Sequence, residues 1–143
     1  ETNIAADLTD VAWIHRVDAS RGIFLFAAGV FMYLKKKDVY QLILSLKNTF
    51  PHGCLVFDTV GEFAIKVLMK RTLENMGILG IDGTFFCNHP LHELRWDNDI
   101  KLSVRKYLTG YVDLAQEGIP PYLRWLSALF DRIFRMNICR MVW

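Results

Sequence analysis

The continuous apolar run Ile23 to Val30 (IFLFAAGV) constrains this chain more than any other feature. A charge-free run of that length fits a strand buried on both faces of a parallel sheet. A helical pattern follows it. From Lys37 to Phe50, the residues Val39, Leu42, Ile43, Leu46 and Phe50 recur at spacings of three and four, with lysines and Gln41 between them. Pro51-His52-Gly53 stops that helix, and Cys54 to Phe57 reads as a second buried strand ending at Asp58. Phe63 to Met76 is a second amphipathic helix, stopped by Gly77 and Gly80. Strand, helix, strand, helix with short connections predicts an α/β fold with a parallel sheet.

The pattern then changes. Ile81 to Cys87 reads as a loop or short strand, and His89 to Trp96 as one or two helical turns. Ile100 to Leu108 alternates in part, which suits a strand with one wet face. Pro120-Pro121 opens a helix to about Arg135, with Leu123, Leu126, Leu129, Phe130, Ile133 and Phe134 expected to face the core. Asn137 to Trp143 is a last strand, expected antiparallel at the sheet end.

At 143 residues the chain has room for a single domain, 1–143. With 52% hydrophobic residues it is not globally disordered. A net charge of +2 with interspersed signs gives no argument for nucleic acid or an anionic membrane surface. The longest charge-free apolar stretch, Gly22 to Leu34, has 13 residues and falls short of a membrane span. Three cysteines, Cys54, Cys87 and Cys139, form no disulfide framework and point to a reducing, cytoplasmic setting.

Three constellations are candidates for chemistry. Asp7-Leu8 precedes a strand-helix unit, and the pair Ala28-Gly29 lies at a strand carboxyl end, beyond which an open α/β sheet takes ligands. The plainer reading of Asp7 is a turn or cap, and of Ala28-Gly29 simple packing. Cys87, His89 and His92-Glu93 have a spacing that could supply three metal ligands, but no fourth ligand or second cluster accompanies them, so no metal is expected. Lys35-Lys36-Lys37-Asp38 reads as a solvated corner with Asp38 near a helix N-terminus. The motifs GxGxxG, GxxxxGK[ST] and GxSxG do not occur in these residues, and no catalytic base stands out.

Ala6-Asp7-Leu8-Thr9, Trp13-Ile14, Phe24 to Leu34 (FLFAAGVFMYL) and Leu55 to Gly61 (LVFDTVG) together resemble the leucine carboxyl methyltransferase family. The resemblance is nearest the branch of tetracenomycin-type polyketide O-methyltransferases. It is specific over Ala6 to Gly61 and weaker to Trp143. It implies a class I, Rossmann-like sheet of order 3-2-1-4-5-7-6 with the seventh strand antiparallel. Residues 23–30, 54–58, 100–108 and 137–143 would be the fourth, fifth, sixth and seventh strands, so the chain would supply the C-terminal half.

The resemblance further implies S-adenosylmethionine as cofactor and a small-molecule acceptor, a polyketide-like or other carboxylic acid or phenol. Asp7 and Leu8 match positions that contact adenine, Tyr33 matches a corner tyrosine near the cofactor or substrate, and Ala28 and Gly29 fall near the cofactor. Ala28 departs from the pattern, since many members carry glutamate there. The glycine-rich cofactor loop and the acid that binds ribose lie outside these residues, and the start at Glu1 fits a fragment or processed product. Without its neighbour in the full sheet, the 23–30 strand would expose an apolar edge. Pairing with a second copy through that edge is the expected closure, and a dimerising module without activity is the alternative function.

Overall fold

The computed structural model describes residues 3–75, 85–110 and 118–143. The chain enters through a 3-10 helix, Val11–Arg16, whose Ala12 amide donates to the Asp10 carboxylate. Strand β1 (Ile23–Ala27) follows, then a short 3-10 turn Phe31–Tyr33 and helix α1 (Lys36–Thr49). Asp38 in the first turn and Lys47 in the last match the helix dipole. The helix ends at Phe50 because the residue before Pro51 is pushed into extended geometry.

Strand β2 (Gly53–Thr59) lies parallel to β1, with Leu25 opposite Leu55. After it come α2 (Glu62–Ala64), a π-helical stretch Ile65–Met69, and α3 (Lys70–Asn75). The single amphipathic helix expected over 63–76 is thus interrupted by a widened turn. Its stop at Gly77 and Gly80, and the beginning of the 81–87 stretch, lie outside the described residues. The one-turn α4 (Pro90–Glu93), β3 (Lys101–Lys106), α5 (Pro121–Phe134) and β4 (Asn137–Val142) complete the order.

The fold is mixed α/β with an open four-stranded sheet of order β1-β2-β4-β3. β4 is not at the sheet end. It inserts antiparallel between β2 and β3, pairing Phe57 with Cys139 on one side and Val104 with Cys139 on the other. Trp143 then closes over Gly53. The two exchange both backbone hydrogen bonds, and the indole Nε1 donates to Phe50 O at 2.8 Å. A Cβ at Gly53 would fall 2.2 Å from the Trp143 ring, so this corner requires glycine.

The core occupies one face of the sheet. Val39, Leu42, Ile43 and Leu46 of α1 pack with Phe50, Leu55, Phe57, Cys139 and Met141, and with Ile14, Phe31, Phe85 and Leu94. Each such side chain stabilises by about 1.5–3 kcal/mol on burial. Phe31 and Phe57 meet at 5.1 Å between ring centres.

Two expectations are corrected on the other face. The 23–30 strand ends at Ala27, and it is buried on one face only: Phe24 is 69% and Phe26 70% exposed. Helix α5 does not sink its apolar stripe into the core. Leu123, Leu126, Phe130 and Ile133 are exposed, and α5 meets α2 instead, through Phe63 against Phe134 at 6.0 Å.

Its fully buried residue is polar. Asp131 is 2% exposed, and its carboxylate accepts from the Leu108 and Thr109 amides and from the Thr109 hydroxyl at 2.8 Å. This carboxylate ties α5 to the turn after β3. Asp131→Ala leaves the half-buried Leu108 and Thr109 amides without their acceptor and is expected to cost about 2–3 kcal/mol. That lowers the unfolding midpoint by roughly 6–12 °C. Asp131→Asn, which keeps one acceptor oxygen, should lose distinctly less in the same calorimetric scan.

Candidate functional site

All three parallel strands point their carboxyl ends to one edge of the sheet, where β4 begins. β1 delivers Ala28 and Gly29 there, β2 delivers Asp58, β3 delivers Tyr107, and the start of β4 delivers Met136 and Ile138. These residues, with Phe26, Met32 and Phe57, line a cavity of about 310 Å³. That volume is at the lower end of small-molecule sites. Its walls are apolar except for one carboxylate and one phenol.

Asp58 organises the mouth of the cavity. Its Oδ1 accepts the Gly29 N–H at 2.6 Å, across 29 residues of sequence. The bond fixes the chain as it leaves β1. Gly29 has φ +63°, in the left-handed region that disfavours residues with a Cβ. A Cβ there would meet nothing within 4 Å, so the glycine serves the backbone angle and leaves the cavity mouth open.

The five residues singled out from sequence do not share one cavity. Ala28 and Gly29 line the Asp58 cavity. Leu8 lines a smaller space of about 130 Å³, with Trp13, Ala27, Val30 and Phe31. The Trp13 indole N–H, buried beside it, has no hydrogen-bond partner among the described residues. Asp7 and Tyr33 line neither space. Asp7 is exposed, and its Oδ1 accepts the Thr9 amide at 2.8 Å and the Thr9 hydroxyl at 2.9 Å. Those bonds hold its carboxyl below the usual range, so it stays ionised. The turn role is the one its hydrogen bonds describe.

The Cys87 group separates into two environments. The Cys87 thiol is buried in the core, where desolvation pushes it up to about 12. His89 and His92 are exposed. Among the described residues no group of three His, Cys, Asp or Glu is placed to hold a metal ion. Glu93 instead accepts the Asn88 and His89 amides, both at 2.8 Å, and pairs with Lys36 at 3.3 Å. Burial opposes its ionisation, but these donors outweigh that and hold its carboxyl below the usual range.

Sequence reasoning passed over Asp58, Tyr107 and Met136. A charged residue closing an apolar strand was a usable signal for Asp58. Tyr107 and Met136 arrive through the β3–β4 pairing, where the Tyr107 amide donates to Met136 O at 3.1 Å, and nothing local announces them. No family model, no curated protein and no solved structure matches this chain.

Asp58→Ala should free the Gly29 amide at a cost of about 1 kcal/mol. Hydrogen exchange at Gly29 then quickens, while exchange in the middle of β2 does not change. Unchanged exchange at Gly29 would remove Asp58 from this role.

Proposed function

We propose that this chain is the C-terminal half of a class I, Rossmann-like S-adenosylmethionine-dependent O-methyltransferase, acting on a small, largely apolar acid or phenol. The observation that carries the reading is the strand order. β1-β2-β4-β3, with β4 antiparallel to both neighbours, has the order and directions of strands 4-5-7-6 in such a sheet. A second support is the cavity at the carboxyl edge of the strands, where open α/β sheets take ligands. The sequence resemblance to the leucine carboxyl methyltransferase family, in its tetracenomycin-type polyketide branch, points the same way. Such an enzyme works in the cytoplasm.

The chain's own residues are compatible with a nucleoside cofactor at the end of β1, since Ala28 and Gly29 are exposed and an added Cβ at Gly29 meets no neighbour. At Asp7 an ionised, exposed carboxylate is available to an exocyclic amine. When bound, the cofactor supplies an electrophilic methyl group. The protein's part is to hold the acceptor in line and keep water away. Phe26, Met32, Phe57, Met136 and Ile138 would exclude water, and the Asp58 carboxylate and Tyr107 hydroxyl would orient the acceptor oxygen.

The test is thermal unfolding with increasing S-adenosylhomocysteine. Ligand at 100 times its dissociation constant stabilises by about 2.7 kcal/mol. The expected saturable rise in midpoint is roughly 5–10 °C. A midpoint that stays put at every concentration overturns cofactor binding by this chain.

One observation favours a second role, a dimerising module. Among the described residues β1 is an edge strand, and its exposed face carries Phe24 and Phe26. Pairing through that edge would bury both its free backbone groups and its apolar face. Sedimentation should then give a dimer, and the double variant Phe24→Lys, Phe26→Lys should give a monomer. A monomer for the unaltered chain at micromolar concentration rules the pairing out.

A further inference from the structure

The cavity at the carboxyl edge of the strands holds a single formal charge. Asp58 supplies it, and among the described residues no Lys, Arg or His lines the space. Strand register accounts for this. Asp58 lies on the same side of the sheet as Ile138, its partner across the β2–β4 ladder. Phe26 lies there too, opposite Val56, two residues before Asp58. Arg105 is on that side, opposite Ile138, but it is engaged in an interaction of its own and is not part of the lining.

Hydrogen bonding leaves Asp58 half used. Its Oδ1 accepts the Gly29 amide at 2.6 Å, a charge-assisted bond, and among the described residues its Oδ2 has no donor. The Tyr107 hydroxyl, on the same lining, likewise has no hydrogen-bond partner among the described residues. Phe26, Met32, Met136 and Ile138 form apolar walls around the two. The cavity therefore offers one strong acceptor and one group that both donates and accepts.

A ligand hydroxyl satisfies both at once. Its proton goes to Asp58 Oδ2, and its oxygen accepts from the Tyr107 O–H. A carboxylate has no proton to donate, and its charge would stand beside that of Asp58 with no cation in the walls. An ammonium would give up its hydration to a cavity with one counter-charge among apolar side chains.

We propose that this cavity selects a neutral aromatic hydroxyl, a phenol, and rejects aromatic carboxylates, with Asp58 and Tyr107 as the residues that set the preference. The assignment rests on the methyl-transfer reading for the use made of that hydroxyl. It narrows the acceptor from acid or phenol to phenol.

The probes are 2-naphthol, 2-naphthoate and 2-naphthylmethylammonium, titrated calorimetrically into the whole chain without cofactor at pH 7, where a phenol is neutral. 2-Naphthol is expected to saturate in the millimolar range or below, and to bind about tenfold more tightly than either ion. Asp58→Asn keeps an oxygen for the Gly29 amide and removes the charge. It should bring 2-naphthoate to within about threefold of 2-naphthol. Tyr107→Phe should weaken 2-naphthol severalfold and leave 2-naphthoate the weaker ligand. An unfolding midpoint near that of the unaltered chain shows that each variant is folded. Either ion binding as tightly as 2-naphthol to the unaltered chain overturns the proposal. So does a tenfold gap that persists in the folded Asp58→Asn variant, and so does 2-naphthol failing to saturate. The two readings fail separately. A midpoint that ignores S-adenosylhomocysteine strikes methyl transfer, whereas the order of these three probes is read without it.

Discussion

The C-terminal strand holds this molecule together. β4 is the only strand of the described sheet with an antiparallel neighbour on each side, and both ladders run for its whole length. Through it, Leu55 and Phe57 of β2 are laid beside Cys139 and Met141, and these beside Leu102 and Val104 of β3. Cys139 and Met141 are fully buried, and burial pushes the Cys139 thiol up to about 12, so it behaves as an apolar side chain. In this sheet β3 gains its place through β4. Trp143 then locks the strand end onto Gly53 and the end of α1.

Because α1, the entry helix and the 85–97 region all collect on one face, the sheet is lopsided. The covered face is a continuous core. The other face carries Phe24, Phe26, Val56 and Ile138 beside Cys54 and Arg140, whose Nε donates to the Cys54 sulfur at 3.5 Å. Helix α5 could have covered it but is held elsewhere, by a polar anchor at Asp131 and by the smaller cluster around Val60, Ala64, Ile65 and Phe134. A buried carboxylate that satisfies two amides fixes direction and distance together, which an apolar stripe alone does not. The amphipathic pattern of α5 therefore marks a helix with apolar surface to spare.

Local periodicity made much of this legible. α1 falls one residue from its expected start and end, because a spacing of three and four records which face is wet. The strands were also visible, since apolar runs bounded by turn residues have few other uses. Their environment was not. Phe24 and Phe26 read as buried because composition cannot tell a strand covered on both faces from one covered on a single face. The position of β4 between β2 and β3 is a property of long-range pairing, and chain order alone favoured the sheet end. For the same reason Ala28 and Gly29 could be placed at a strand end by sequence, while their partner Asp58, 29 residues away, could not.

Topology also explains why two different cavities sit at one edge. Parallel strands bring all their carboxyl ends together, and an antiparallel strand among them begins where they end. At that edge the pleat sends Lys106 and Asn137 to one face and Ile138 to the other, with Tyr107 and Met136 at the step between. The Asp58 cavity and the cleft beside Asn88 and Pro90 thus stand back to back, divided by the last rung of the β3–β4 ladder. Beside that cleft, Glu93 is held by two backbone amides and Lys36, which fixes the loop carrying Asn88 and His89. The same edge can therefore present two separate cavities on its two faces with only one residue of backbone between them.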